Sequence, residues 1–246
     1  MSYLFLGILV AIIIHTIFRK GNKDRNKIHT KQDIKLPKDI KDMNFSKEII
    51  ELLEAKTGKK ADFLYVKRWF PDEERNGKVI SYSMKEVKEN GISARAIAGN
   101  TARKIVHSLY EKLNNKNYLV FLTNRDFDYE NHPADGREVL DIAIIKGKDP
   151  YEIIKLINTN GQNCNRITNE VVINKLKEWE KFTKFRIRVV DNDYIEAEIS
   201  RLPSDIDKFA KEIFSFAPDV VDQGAGTLEE LKQYIKIEKY FWLWWD

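Results

Sequence analysis

The order of the elements constrains this chain more than any single motif does. Helix, strand, strand, helix is legible over residues 94–158 and again over residues 170–217. In the first block, Ala94 to Leu113 places Ile97, Ala98, Ala102, Ile105, Val106, Leu109 and Leu113 on one helical face. Two apolar strands follow, Tyr118 to Thr123 and Val139 to Gly147, around a polar loop with Asp126, Asp128, His132 and Asp135. Asp149 and Pro150 then open a short helix through Ile157, since proline is pre-organised for the first helical position. In the second block a helix over Val171 to Phe182 leads into a hairpin. Phe185, Ile187 and Val189 alternate with Arg186 and Arg188, and Ile195, Ala197 and Ile199 alternate with Glu196 and Glu198. The residues do not repeat between the blocks, so the shared order is architecture rather than duplication. Helices segregated from hairpins predict an α+β fold with a mixed or antiparallel sheet and packed helices, not a doubly wound parallel sheet. Upstream, Phe45 to Lys56 predicts a helix ended by Thr57-Gly58. Asp62 to Trp69 and Val79 to Met84 predict strands around a polar turn at Pro71 to Gly77.

The amino-terminal 44 residues have a different character. Tyr3 to Phe18 is almost unbroken apolar sequence, interrupted by His15 and Thr16. As a helix, residues 1–18 span about 27 Å, close to the roughly 30 Å hydrocarbon core of a bilayer. A secretory signal needs positive charge before its apolar run, whereas here Arg19, Lys20, Lys23, Arg25 and Lys27 all follow it. Residues 1–18 are therefore expected to be an uncleaved transmembrane anchor, with the carboxyl-terminal domain in the cytoplasm by the positive-inside rule. Residues 19–44 form a basic juxtamembrane linker. Arg19 to Lys41 holds nine Lys and Arg against three Asp, +6, while the whole chain is only +4, so the remainder sums to −2. The basic character belongs to the linker, and anionic headgroups explain it at about 1 kcal/mol per charge near the surface. The domain from residue 45 to 246 shows no basic stripe interleaved with aromatics, which argues against a nucleic-acid partner.

Turn-forming and aromatic residues concentrate at the carboxyl end. Ser204 is expected to cap a helix carrying Ile206, Phe209, Ala210, Ile213, Phe214 and Ala217, which Pro218 ends. Thr227 and Glu230 make a capping box for the next helix, and Tyr240 to Trp245 reads as a closing aromatic strand. Alternation puts Trp242 and Trp244 on one face and Trp245 on the other. Between the two helices, Asp219, Asp222 and Gln223 sit in a tight loop, with Gly224 and Gly226 permitting unusual backbone angles. The run Pro218-Asp-Val-Val-Asp-Gln-Gly224, the following Gly226-Thr-Leu-Glu-Glu-Leu231 and the terminal Leu243-Trp-Trp-Asp246 resemble domain-of-unknown-function family 4253, which is found mainly in bacteria. The resemblance extends through Thr159-Asn-Gly-Gln-Asn163, Leu176-Lys-Glu-Trp179 and Phe209-Ala-Lys-Glu212, and covers about residues 140–246 best. The family often has a cysteine before the Pro-Asp, where this chain has Ala217, so a thiol-based role there does not carry over. The resemblance implies a fold rather than a reaction.

Motifs of known chemistry are absent from the sequence. There is no phosphate-binding loop, no Gly-x-Ser-x-Gly and no His-Glu-x-x-His. The single cysteine, Cys164, excludes an intramolecular disulfide and a cysteine-rich zinc site. Within the domain only His107 and His132 could serve it as a base, and His107 reads as a residue of an amphipathic helix. Three constellations stand out. Asp219, Asp222 and Gln223, joined by Asp246, offer oxygen ligands to a divalent cation, or alternatively cap the flanking helices. Thr159, Asn160 and Asn163 could hold a polar ligand, although Asn-Gly is also an ordinary turn. Trp242, Trp244 and Trp245 divide between core and a partner-facing surface. The expectation is a non-catalytic binding module of immunity-type or regulatory role with no cofactor. A metal-dependent hydrolase using Asp219 and Asp222 is the alternative.

Overall fold

The computed structural model describes residues 39–40, 43–75, 78–113, 115–130, 137–159 and 167–245. The chain runs α1 (Lys47–Thr57), β1 (Asp62–Arg75), β2 (Lys78–Ala98), α2 (Gly99–Leu113), β3 (Tyr118–Asp128) and β4 (Arg137–Lys146). It continues through α3 (Tyr151–Ile157), α4 (Asn169–Trp179), β5 (Lys184–Val190), β6 (Tyr194–Arg201) and α5 (Ile206–Phe216). A π-helical turn (Val220–Ala225), α6 (Leu228–Gln233), a second π-helical turn (Tyr234–Glu238) and β7 (Tyr240–Trp244) complete it. All strands share one seven-stranded sheet in the order β1-β2-β4-β3-β5-β6-β7. Every pairing is antiparallel except β3 with β5, which meet in parallel at Leu122 and Val189. The two helix–strand–strand–helix blocks are thus welded into one mixed sheet along that seam. The fold is α+β, as the order of elements requires.

Each strand's alternation feeds two separate cores. Phe121, Ala143, Ile145, Ile187, Ala197, Phe241 and Leu243 point into one with α3, α4, α5 and α6. Val120, Leu122, Ile142, Ile144 and Val189 point into the other with α1 and α2. Because both faces of β3 and β4 are covered, their buried runs are continuous, and the sequence shows apolar stretches there instead of alternation. The first core centres on Trp179, whose ring meets Phe209, Phe216 and Phe241 edge to face at 5.3, 6.0 and 5.7 Å. Its indole Nε1 donates to Glu212 Oε2 at 2.9 Å, so a ring with no exposure still has its polar atom partnered.

Several local expectations shift. The helix read from Ala94 begins only at Gly99, because Ala94 to Ala98 pair with β4. Apolar residues spaced at both 2 and 3.6 allow either reading of that stretch, and sheet pairing wins. The polar residues Pro71 to Arg75 are not a turn but the outer part of β1, paired with β2 as far as Arg75 opposite Lys78. Asp205, not Ser204, caps α5, accepting from the Lys208 amide at 2.8 Å. The tight loop after Pro218 is a turn of π-helix. Among the described residues no helix is long and apolar enough to cross a membrane. The expected anchor over residues 1–18, and the linker as far as residue 38, lie outside the described residues.

Candidate functional site

The Asp219 turn and the closing strand form one surface. Val220 and Val221 bury into the first core and fix the turn, leaving Asp222 and Gln223 exposed. Gln223 Nε2 donates to Asp219 Oδ1 at 3.2 Å, a bond between residues four apart on the same turn. Gly224 lies against β7, and a Cβ there would stand 3.3 Å from Trp242 Nε1. Gly226, at φ +84°, turns the chain into α6. Thr227 caps α6, accepting from the Glu230 amide at 3.1 Å while its hydroxyl donates to Glu230 Oε2 at 2.8 Å. The Thr227 cap expected from the sequence is present, with the Glu230 carboxylate held on the Thr227 hydroxyl.

Tyr234 packs on Trp242 at 5.2 Å, and Tyr240 lies 5.7 Å from Trp242, so three aromatic rings line the surface beside the turn. Phe241 and Leu243 are buried, whereas Trp242 and Trp244 remain half-buried on the opposite side, as alternation predicts. Trp245 turns back into the core, its Nε1 donating to the Phe216 carbonyl at 3.1 Å. Next to the aromatics, Glu230, Gln233, Tyr234, Ile237 and Glu238 enclose a shallow pocket of about 240 Å³. Ile237 is 64% exposed and Tyr234 37%.

The second predicted constellation lies elsewhere. Thr159 has no exposure, and its hydroxyl donates to the Asp191 carbonyl at 2.6 Å, tying the end of α3 to the β5–β6 turn. Asn160, Asn163, Cys164, His132 and Asp246 lie outside the described residues. Among the described residues no group of three or more His, Cys, Asp or Glu could hold a metal ion.

Two polar networks escaped the sequence reading. In the first, Glu196 of β6, 3% exposed, accepts from Arg103 of α2 at 2.8 and 3.1 Å, from Arg188 Nε at 2.6 Å and from the Tyr194 hydroxyl at 3.3 Å. Arg103 also pairs with Glu138, which accepts from Arg125 Nε at 2.7 Å. Burial pushes both carboxyls up, but the surrounding guanidiniums outweigh it and hold them below the usual range. The second network fills bulges in β2 and β3. Asn124 takes a left-handed conformation (φ 50°), which Asn tolerates, and its amide donates to Tyr65 O at 2.7 Å and Asp141 Oδ2 at 2.8 Å. Asp141 accepts from the Ala96 amide at 2.8 Å, and Asp191 from the Arg125 amide at 2.7 Å. Burial raises the Asp141 carboxyl, and pushes the Asp191 carboxyl up to about 6. The alternation of Arg186 and Arg188 against Glu196 and Glu198 was the one visible signal of either network, and it reads equally well as a solvated hairpin face.

The class these features define is a mixed-sheet α+β domain with helices on both faces and an aromatic edge strand beside a capped acidic turn. Residues 141–246 match the model of the family described as Domain of unknown function (DUF4253). The match coincides with the stretch where the resemblance was read. No curated protein and no solved structure matches the chain.

Proposed function

We propose that this chain is a membrane-tethered, non-catalytic binding module that engages a protein partner through its carboxyl-terminal surface. The observation that carries the reading is the exposure of Ile237 and Tyr234 beside Trp242 and the acidic Asp219–Asp222 turn. Tryptophan and tyrosine dominate the energetics of protein interfaces, and carboxylates at the rim set partner choice. The tether is supported by the apolar run Tyr3 to Phe18 and the basic residues after it, a pattern that favours the cytoplasmic side for the domain by the positive-inside rule. A partner held at a membrane suits an immunity-type or regulatory role. Within the turn, Gln223 is hydrogen-bonded to Asp219, while Asp222 is exposed to a partner.

The test is capture of a partner by tagged full-length protein extracted from membranes, beside a folded Asp219→Asn/Asp222→Asn variant. A partner kept by the parent and lost by the variant supports the reading. Equal capture by both removes the turn from the interface. Calcium or magnesium titration of the same pair separates the metal-dependent hydrolase, which requires ion binding that the variant loses.

A further inference from the structure

We infer that a lysine-lined cavity at the end where the chain enters the domain receives a phosphate-bearing headgroup of an anionic membrane lipid. The inference rests on the tethered reading above. The cavity, about 540 Å³, lies where the end of α2, the start of β3, the end of β4 and the start of α3 meet. It is lined by Lys116, Tyr118, Lys146, Gly147, Lys148 and Glu152 among others, three ammonium groups against one carboxylate. Its size falls in the range of ligand sites, about 300–1,000 Å³. Lys116 reaches Glu48 of α1 at 3.2 Å, and Glu152 accepts from the Asp149 amide at 3.3 Å. Lys146 and Lys148 have no carboxylate partner among the described residues. Lys146 lies instead over the Phe45 ring at 5.6 Å.

Two independent facts give this cavity its direction. The residues outside the basic segment sum to −2, so a concentration of lysines here opposes the charge of the domain around it. The chain also enters the domain at this end, for Phe45 stacks on Tyr118, a cavity residue, at 5.8 Å. In the sequence the basic segment Arg19 to Lys41 directly precedes this entry point. Gly147 packs closely in the wall, since a Cβ there would meet Leu119 Cδ1 at 2.8 Å and Glu152 Oε2 at 2.9 Å.

The experiment uses full-length protein reconstituted in discs of phosphatidylcholine alone and in discs containing phosphatidylserine, with acetylation rates of single lysines read by mass spectrometry. Lys146 and Lys148 should react about fivefold more slowly in the anionic discs, the factor that about 1 kcal/mol per lysine gives, while exposed Lys181 is unchanged. In a folded Lys146→Glu/Lys148→Glu variant the rate at Lys116 should no longer depend on the lipid. Equal rates for Lys146 and Lys148 in both discs overturn the inference and leave the tether standing. Slowing at Lys116 that survives in the variant also overturns it, since the linker alone then accounts for it. Slowing produced by inorganic phosphate in neutral discs overturns the lipid as ligand and makes the cavity a site for soluble phosphate. A chain that co-elutes with neither disc overturns the tether itself and the inference with it.

Discussion

Replacing Glu196 by alanine removes a buried carboxylate held by two guanidinium groups. Its side chain is 3% exposed, and Arg103 and Arg188 both direct guanidinium groups at it. Breaking a buried pair by deleting one partner costs about 3–5 kcal/mol, because the remaining charge stays buried without compensation. Arg103 retains Glu138, whereas Arg188, 16% exposed, loses the carboxylate it pairs with and can reach water only in part, which places the expected loss near the lower bound, about 3 kcal/mol. Glu196→Gln keeps the shape and one acceptor but not the charge, and should lose less. The assay is urea unfolding at pH 7 followed by tryptophan fluorescence, with stability read from the midpoint at constant slope. The pH dependence gives a second readout of the same network. Glu196 and Glu138 are held below their ordinary range, so their stabilisation is present above about pH 4.5 and is lost as pH falls through their folded values. The alanine variant should show a shallower acid limb than the parent. A loss below about 1 kcal/mol, the scale of an exposed pair, would refute the claim that this network holds α2 to the sheet.

Asp191 has the opposite sign. Its carboxyl is raised to about 6 by burial, so the folded state binds the proton more tightly than the unfolded chain, and stability should fall as pH rises from about 4 to 6. Asp191→Asn should flatten that window in a pH series of melting temperatures, and an unchanged slope rejects the assignment. Trp179→Ala should cost about 3–5 kcal/mol and Trp179→Phe clearly less, since phenylalanine keeps the edge contacts to Phe209 and Phe241 while losing the bond to Glu212. Denaturant midpoints of the two variants decide it. Thr227→Ala should cost about 1 kcal/mol by removing the cap of α6, read in the same way.

Most of the fold was legible because each block announces its elements locally. The Asp149-Pro150 start and the alternation of β5 and β6 each depend on neighbours in sequence. What could not be read depends on partners far along the chain. Ala94 to Ala98 fits a helix until β4 arrives to pair with it. The seam between β3 and β5 brings together Leu122 and Val189, which no local pattern links. The candidate site was half legible. The capping box and the aromatic alternation are written in consecutive residues, while the packing of Gly224 on Trp242 and of Tyr234 on the same ring needs the turn folded back on β7. Thr159 looked available from its polar neighbours, yet its hydroxyl is committed to Asp191, a contact across 32 positions.

On the function proposed above, the surface around Ile237 and Trp242 meets a partner protein. The most direct measurement is site-specific photocrosslinking in cells, with the photoreactive residue placed at Ile237 and, as a control, at exposed Glu51 of α1. The account predicts a discrete higher-mass adduct from position 237 that is absent from position 51 and weakened by Asp219→Asn/Asp222→Asn. No adduct at 237, or the same adduct from both positions, would contradict it.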